Sequence, residues 1–264
     1  MLLEIVKGFI ILAAIFIPIE RIFALHNQKV FRRAWKTDVI YFFIGHFIGK
    51  ATGAIILAIA FSHFPPIVNV ELQNTVASQP VLLQFLEAVI VADMGYYIAH
   101  RLLHELPWLW QFHAVHHSIE DMDWLAAVRV HPCDQVFTRI WQIIPLYWLG
   151  FSRETWAIYV LYSAAIAFLI HANIKVKFGI LKWLIATPQF HHWHHSQVPL
   201  VPNKNFAAQF PLLDLLFGTM YMPAQKMPHK YGVSDSIPAG YVGQMFYPFS
   251  RMMKNAKSKF KTKY

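Results

Sequence analysis

The sequence predicts an all-α fold: a polytopic bundle of about four to five membrane helices with a cytoplasmic histidine-rich cap. Three observations lead there. Hydrophobic residues fill 56% of the 264 positions and charged residues only 14%, a balance outside the soluble range. Several apolar windows reach the ~20 residues that a helix needs to cross a hydrocarbon core about 30 Å thick. Nine of the fifteen histidines crowd into two short stretches beside those windows, HRLLHELPWLWQFHAVHH and HHWHH.

The first apolar window covers 2–25, with Lys7 and Glu20 towards its ends. It is too long for the core of a signal peptide, has Glu4 ahead of it and lacks a small-residue cleavage pattern, so it reads as a span. The second window covers 39–61 and the third 81–99. The region 140–170 is interrupted by Pro145 and the polar step SRET, which predicts a hairpin of two short helices that need not cross completely. This divides the chain into N-terminal membrane helices (1–80), a catalytic region (81–222) and a basic cytoplasmic tail (223–264). The tail ends in RMMKNAKSKFKTKY, which alternates basic and apolar residues without acids; that pattern suits adhesion to an anionic leaflet, or else a frayed, solvated end.

The formal charge of +9 does not point to nucleic acid, because the basic residues follow topology rather than forming a stripe. Segment 21–36 holds five Lys and Arg, segment 62–80 none, and the stretch from His171 onwards twelve. By the positive-inside rule, both histidine clusters and the C-terminus are then cytoplasmic and the chain starts outside. An even number of crossings between His117 and His191 puts both clusters on one face. Cys133, the single cysteine, excludes an intrachain disulfide and a thiolate cluster, and reads as a small buried residue.

His100 and His104 stand four apart, which stacks them on one helical face. HAVHH sets out His113, His116 and His117, and HHWHH repeats the H-x-x-H-H pattern as His191, His194 and His195. Positions i and i+3 share a face and i+4 flanks them, so each repeat is expected to give two nitrogens to one metal and a third to a neighbour. Eight or more clustered imidazoles exceed what one ion uses, which points to a two-metal site. His171, at the inner end of the hairpin, is a further candidate ligand. His131 and His192 are candidates for contacts behind the ligands. So is Asp93, seven and eleven residues before His100 and His104, as a carboxylate orienting their rings; its alternative partners are the hydroxyls of Tyr96 and Tyr97. Glu120, Asp121 and Asp123, directly after HAVHHS, read as a solvated acidic loop or else as charges that neutralise the centre. His26, His46, His63 and His229 lack partners at ligand spacing.

All-nitrogen ligation argues against iron–sulfur clusters, the lack of C-x-x-C-H against attached haem, and the lack of H-E-x-x-H against a zinc protease. A dinuclear non-haem centre remains, iron first, beside a lipid-facing pocket. A membrane metal transporter or sensor is the alternative, although it would place ligands near the midplane of an internal repeat. A bis-histidine cytochrome would leave most of the histidines unused.

HRLLH, HAVHHS, RVHP, HHWHH and NKNFAAQFPLLDLLFGT, in this order, resemble the fatty acid hydroxylase and sterol desaturase superfamily over about half of the chain. The resemblance implies an integral-membrane oxygenase with two iron ions. It would use O2 and two reducing equivalents to hydroxylate or desaturate a C–H bond of a sterol, fatty acyl, sphingoid or ether lipid drawn from the bilayer. Box by box, the implied ligands are His100, His104, His113, His116, His117, His191, His194 and His195; His171 matches a ligand-bearing helix end, and Lys175 stands where some members have another histidine. Since no dinucleotide-binding glycine pattern or haem domain is present, electrons are expected from a separate cytoplasmic donor protein, docking on the basic tail or on 21–36. The segment 200–219 reads either as a cap over the pocket or as a connector packed under the core.

Overall fold

The computed structural model describes residues 2–197, 203–224 and 226–261, the last five by backbone alone. In chain order the helices are α1 (Leu2–Ile22), α2 (Trp35–His63), α3 (Val70–Ser78), α4 (Val81–Glu105), α5 (Pro107–His117), α6 (Pro132–Leu149), α7 (Arg153–His171), α8 (Pro188–His194), α9 (Leu212–Leu216) and α10 (Tyr241–Lys261). Four of them, α1, α2, α4 and α7, are long and apolar enough to cross a membrane. The protein is a polytopic helical membrane protein.

The helix boundaries follow local chemistry. Asn69, Ser152 and Thr187 cap α3, α7 and α8 by accepting from the backbone N–H of Leu72, Thr155 and Phe190. Proline opens α5, α6 and α8, where its missing N–H costs nothing. The expected hairpin is α6 followed by α7, joined by Gly150 in the left-handed region (φ 74°) and by Ser152. Pro145 lies within α6 without ending it, and α6 begins earlier than the apolar window does. Helix α3 occupies part of 62–80, expected only as the segment between two spans; its Val76 packs with Ala88, Leu146 and Tyr159. Gln84, 1% exposed, ties these ends together. Its amide donates to the carbonyls of Ala77 and Gln79, and its oxygen accepts from Ser152 N–H and Thr155 Oγ1.

Helices α4 and α6 approach closely, since a Cβ on Gly95 would stand 2.0 Å from the carbonyl oxygen of Trp141. Helices α1, α2 and α7 meet in an aromatic cluster of Phe9, Phe16, Phe42, Phe168 and Trp124. Below it lies a buried ion cluster. Asp38 of α2 accepts from both arms of Arg129 (2.6 and 2.9 Å) and pairs with Arg32 at 2.8 Å, which reaches Asp123 at 2.5 Å. Two positive and two negative groups cancel, which is the condition for burying them. Asp123 is therefore not part of a solvated loop; it is buried, while Glu120 is exposed and pairs with Arg33. Cys133 is likewise exposed on α6 instead of buried: it is the neighbour of buried Asp134, and adjacent helical residues point about 100° apart.

The basic C-terminal segment is helical as far as Lys261. Tyr247 of α10 packs with Tyr41, Ala114 and Val115, and Arg251 pairs with Asp235. Residues 262–264 lie outside the described residues. Helices α4 and α7 run to the same end of the bundle and finish in histidines, and α5 and α8 lie across that end.

Candidate metal centre

The two H-x-x-H-H repeats sit at the C-terminal ends of two short helices, α5 and α8, that each start on a proline. Their folded pattern differs from the spacing argument. Residues i and i+4 of each repeat stay together, and the i+3 residue crosses to the other repeat's partner. One group holds His113 and His117 of α5, His194 from α8, and His100 and His104 of α4; the other holds His191 and His195 from the second repeat, His116 of α5 and His171 of α7. Within each group one ligand atom per residue lies within 4.8 Å of all the others. Adjacent residues on a helix point about 100° apart, so a sequence pair such as His116 and His117 is bound to serve different groups.

The protons on these rings can be assigned. His100 Nδ1 donates to the carbonyl of Phe206 (2.7 Å), His116 Nδ1 to Arg129 (3.1 Å), His171 Nδ1 to Ala167 (2.7 Å) and His194 Nδ1 to Lys204 (2.8 Å). His113 Nδ1 donates to the carboxylate of Asp134 at 2.8 Å. A neutral imidazole has one N–H, so in these five rings Nε2 carries a lone pair. Yet His100 Nε2 lies 3.0 Å from His113 Nε2, and His116 Nε2 lies 3.3 Å from His171 Nε2. No hydrogen bond can join two lone pairs, and a cation between them removes the repulsion in each group. Burial first, then neighbouring histidines, holds His113, His117, His191 and His195 well below the ordinary imidazole value; His116 is lowered likewise, and burial brings His194 to about 4. Neutral rings are the ligating form. The buried Nε2 of His104 has no hydrogen-bond partner. The donor set thus fits metal ions.

Residues 85–219 match the fatty acid hydroxylase family. The chain belongs to that family. It is 34% identical to an ornithine lipid hydroxylase of Rhizobium tropici over 65% of this chain and 52% of the relative. It is also 30% and 29% identical to alkylglycerol monooxygenases of Xenopus tropicalis and Homo sapiens, over 55% and 57% of this chain and 32% and 33% of theirs. The chain thus spans about half of the first relative and about a third of the other two. No solved structure matches it.

In this fatty acid hydroxylase domain all nine histidines proposed as ligands fall in the two groups. The three residues expected behind them are placed differently. Asp93 touches no imidazole; it accepts from the backbone N–H of Ala208 (2.9 Å), Gln209 (3.0 Å) and Phe210 (2.6 Å), and so fixes the loop whose Phe206 carbonyl orients His100. Neither Tyr96 nor Tyr97 partners it; Tyr97 bonds Thr219. His131 caps α6 through Cys133 N–H, and its other nitrogen donates to the Met245 carbonyl of α10. His192, with its ring brought to about 3 by burial, contacts the carbonyl of His171 (3.3 Å) and the hydroxyl of Tyr231 (2.8 Å), which also meets His26 at 3.0 Å. His26 is thereby linked to the site's surroundings. The carboxylate that does orient a ring is Asp134. It lies in the first turn of α6, 21 residues after His113, and no local spacing in the sequence links the two. Lys175 is exposed beyond the end of α7. Of the segment 200–219 after the last histidine box, 200–202 lie outside the described residues. Of the remainder, Asn205, Phe206, Ala207, Gln209, Leu213 and Asp214 are buried while 215–218 are exposed, and Phe206 packs on the rings of His100 (5.8 Å), His104 (5.3 Å) and His194 (6.1 Å).

Two cavities reach the histidines from opposite sides. One, about 220 Å³, lies among α4, α6 and α7 and is bordered by Tyr96, His113, His116, His171 and His191. The other, about 590 Å³ and more open, is bordered by His104, His117, His194, Trp110 and Asp235.

Proposed function

We propose that the chain is an O2-dependent lipid oxygenase in which two iron ions are held by the two histidine groups. The opposition of lone pairs, His100 to His113 in one group and His116 to His171 in the other, carries this reading, since it needs one cation per group. Bound there, the irons would supply the reductive activation of O2 and the oxidation of a C–H bond. Hydroxylation balances as RH + O2 + two electrons + two protons giving ROH + water; desaturation consumes the same equivalents and gives an alkene and two waters.

The chain's own residues set the conditions. His100, His104, His113, His117 and His194 hold one ion, and His116, His171, His191 and His195 the other. Asp134 and four backbone carbonyls keep the protons on Nδ1, leaving Nε2 to ligate. Phe206 covers one group and excludes water. The smaller cavity borders both groups and opens among apolar helices, so it receives the lipid. The four-member group, one imidazole short of the other, has the more room for an exogenous ligand. Selectivity for one C–H bond then comes from position in that cavity.

The histidine end is proposed to face the cytoplasm, on the distribution of Lys and Arg among the loops. Electrons come from a separate donor, for which the larger cavity, the basic stretch 21–36 and α10 offer the nearest surface. Metal transport is a poor fit, because both groups lie at one end of the bundle instead of along a path through it.

The test is lipid analysis of cells expressing the chain or its His113→Ala form, with metal analysis of the purified protein. Expected are about two irons per chain and a lipid that has gained an oxygen or lost two hydrogens, absent with His113→Ala. Identical lipids in both cell lines, or zinc in place of iron, would overturn the reading.

A further inference from the structure

The smaller cavity is more polar than a hydrocarbon chain requires. Its wall away from the histidines carries Thr138, Arg139, Gln142, Ser163 and Gln209. Arg139 lies against the middle of α2, fourteen residues beyond the start of that 29-residue span, where it donates to the carbonyl of Gly49. Among the described residues no carboxylate lies within ion-pair reach of its guanidinium. Helix α2 makes space for this group: a Cβ on Gly49 would stand 2.9 Å from Nη2, and one on Gly53 3.8 Å from Nη1. An uncompensated cation at membrane depth is costly and marks a site where function supplies the partner.

Gln209 is a second, independent sign. It is 1% exposed, and its amide nitrogen reaches the hydroxyls of Tyr159 (3.2 Å) and Ser163 (3.4 Å), but its oxygen has no partner. Either orientation of the amide leaves one buried end unsatisfied, in a residue that lines the cavity.

An apolar groove of about 340 Å³ adjoins the cavity between α1, α2 and α7, passing Leu12, Gly45 and Phe168; the two spaces share Ala127, Val130 and Gln135. A hydrocarbon chain fits the groove, and a polar group at the chain's end fits the cavity.

We infer that the lipid taken by this chain is anionic, with its carboxylate or phosphate held by Arg139 inside the cavity and its hydrocarbon in the α1–α2 groove. The inference rests on the oxygenase reading and adds a regiochemistry to it. Arg139 follows Asp134, the partner of His113, by five residues, or about 7–8 Å along α6. The oxidised carbon is therefore nearer the acidic group than the far end of the chain.

The experiment is native mass spectrometry of the full, detergent-solubilised chain after delipidation. Oleate, dioleoyl phosphatidate and neutral dioleoylglycerol are offered in equal amounts, so the carboxylate and phosphate arms distinguish the two sources. The wild type is expected to retain one of the two anions over the neutral lipid by about tenfold, the size that one charge-assisted contact supports. Arg139→Gln should lose that preference and Arg139→Lys should keep most of it. A wild type without preference overturns the inference, whether or not Arg139→Gln folds, and so does a folded Arg139→Gln that keeps the preference. Lipid oxidation in cells is scored separately: oxidation without anion preference refutes this inference alone, and anion preference without oxidation refutes the oxygenase reading alone.

Discussion

At His113 one proton decides whether the ring can ligate. Asp134 accepts from Nδ1 at 2.8 Å, with both side chains almost fully buried, so the carboxylate fixes the tautomer that leaves Nε2 free. Replacing it with asparagine keeps the shape but offers an N–H to Nδ1, which moves the ring proton to Nε2. Asp134→Asn is therefore expected to weaken iron binding by about 10–100-fold, the usual cost of losing an outer partner of a metal ligand. Titration of the metal-free chain with Fe(II) checks it, and unchanged affinity would show that the carboxylate does not orient the ring. Asp93 invites the opposite expectation, because helical periodicity puts it on the face of His100 and His104. What periodicity cannot see is that its oxygens are already saturated by three amides of a loop 115 residues and more away in sequence. Asp93→Asn should disturb His100 only through that loop, by loosening the Phe206 carbonyl.

Helices α4 and α6 meet so closely that glycine is required at one point. A Cβ on Gly95 would stand 2.0 Å from Trp141 O and 2.7 Å from Trp141 C, both backbone atoms that cannot yield. Gly95→Ala should cost about 1–3 kcal/mol or more in overpacking and, since His100 lies five residues further on α4, lower the iron content as well. Gly45→Ala, on α2 with nothing within 4 Å of its would-be Cβ, should instead be neutral or gain about 0.5–1 kcal/mol of helix stability. Thermal melting in detergent compares the two, and equal effects would refute the packing argument. Elements of this kind were partly legible in the sequence. Apolar length marked α1, α2, α4 and α7, and Ser152 marked the turn into α7. Helix α3 escaped, since at nine residues it is too short to be marked by apolar length and is held by Gln84 and Leu146 from elsewhere in the chain. The histidine boxes announced a centre, but the pairing of i with i+4 depended on how α5 and α8 lie against each other, and no local spacing encodes that.

For the molecule as a whole, four helices from separate parts of the chain, α4, α5, α7 and α8, converge through nine imidazoles. Without cations these rings press lone pairs together at about 3 Å, as between His100 and His113, so the folded state gains its metal-binding free energy as stability. A ligand present at a hundred times its dissociation constant adds about 2.7 kcal/mol per site. At roughly 2–4 °C per kcal/mol for a domain of 150–250 residues, removing two ions should lower the melting temperature by about 10–20 °C. The transition should also broaden, because α5 and α8 are short and lean on the metal more than the spanning helices do. Hydrogen exchange of the chelated protein is the sharper measurement: α5, α8 and the loop at Phe206 are expected to lose protection, while α2 and the first half of α4 keep theirs. Uniform loss across the bundle would mean that the centre and the membrane helices form one cooperative unit, and an unchanged melting temperature would mean that the histidine cap holds its shape without metal.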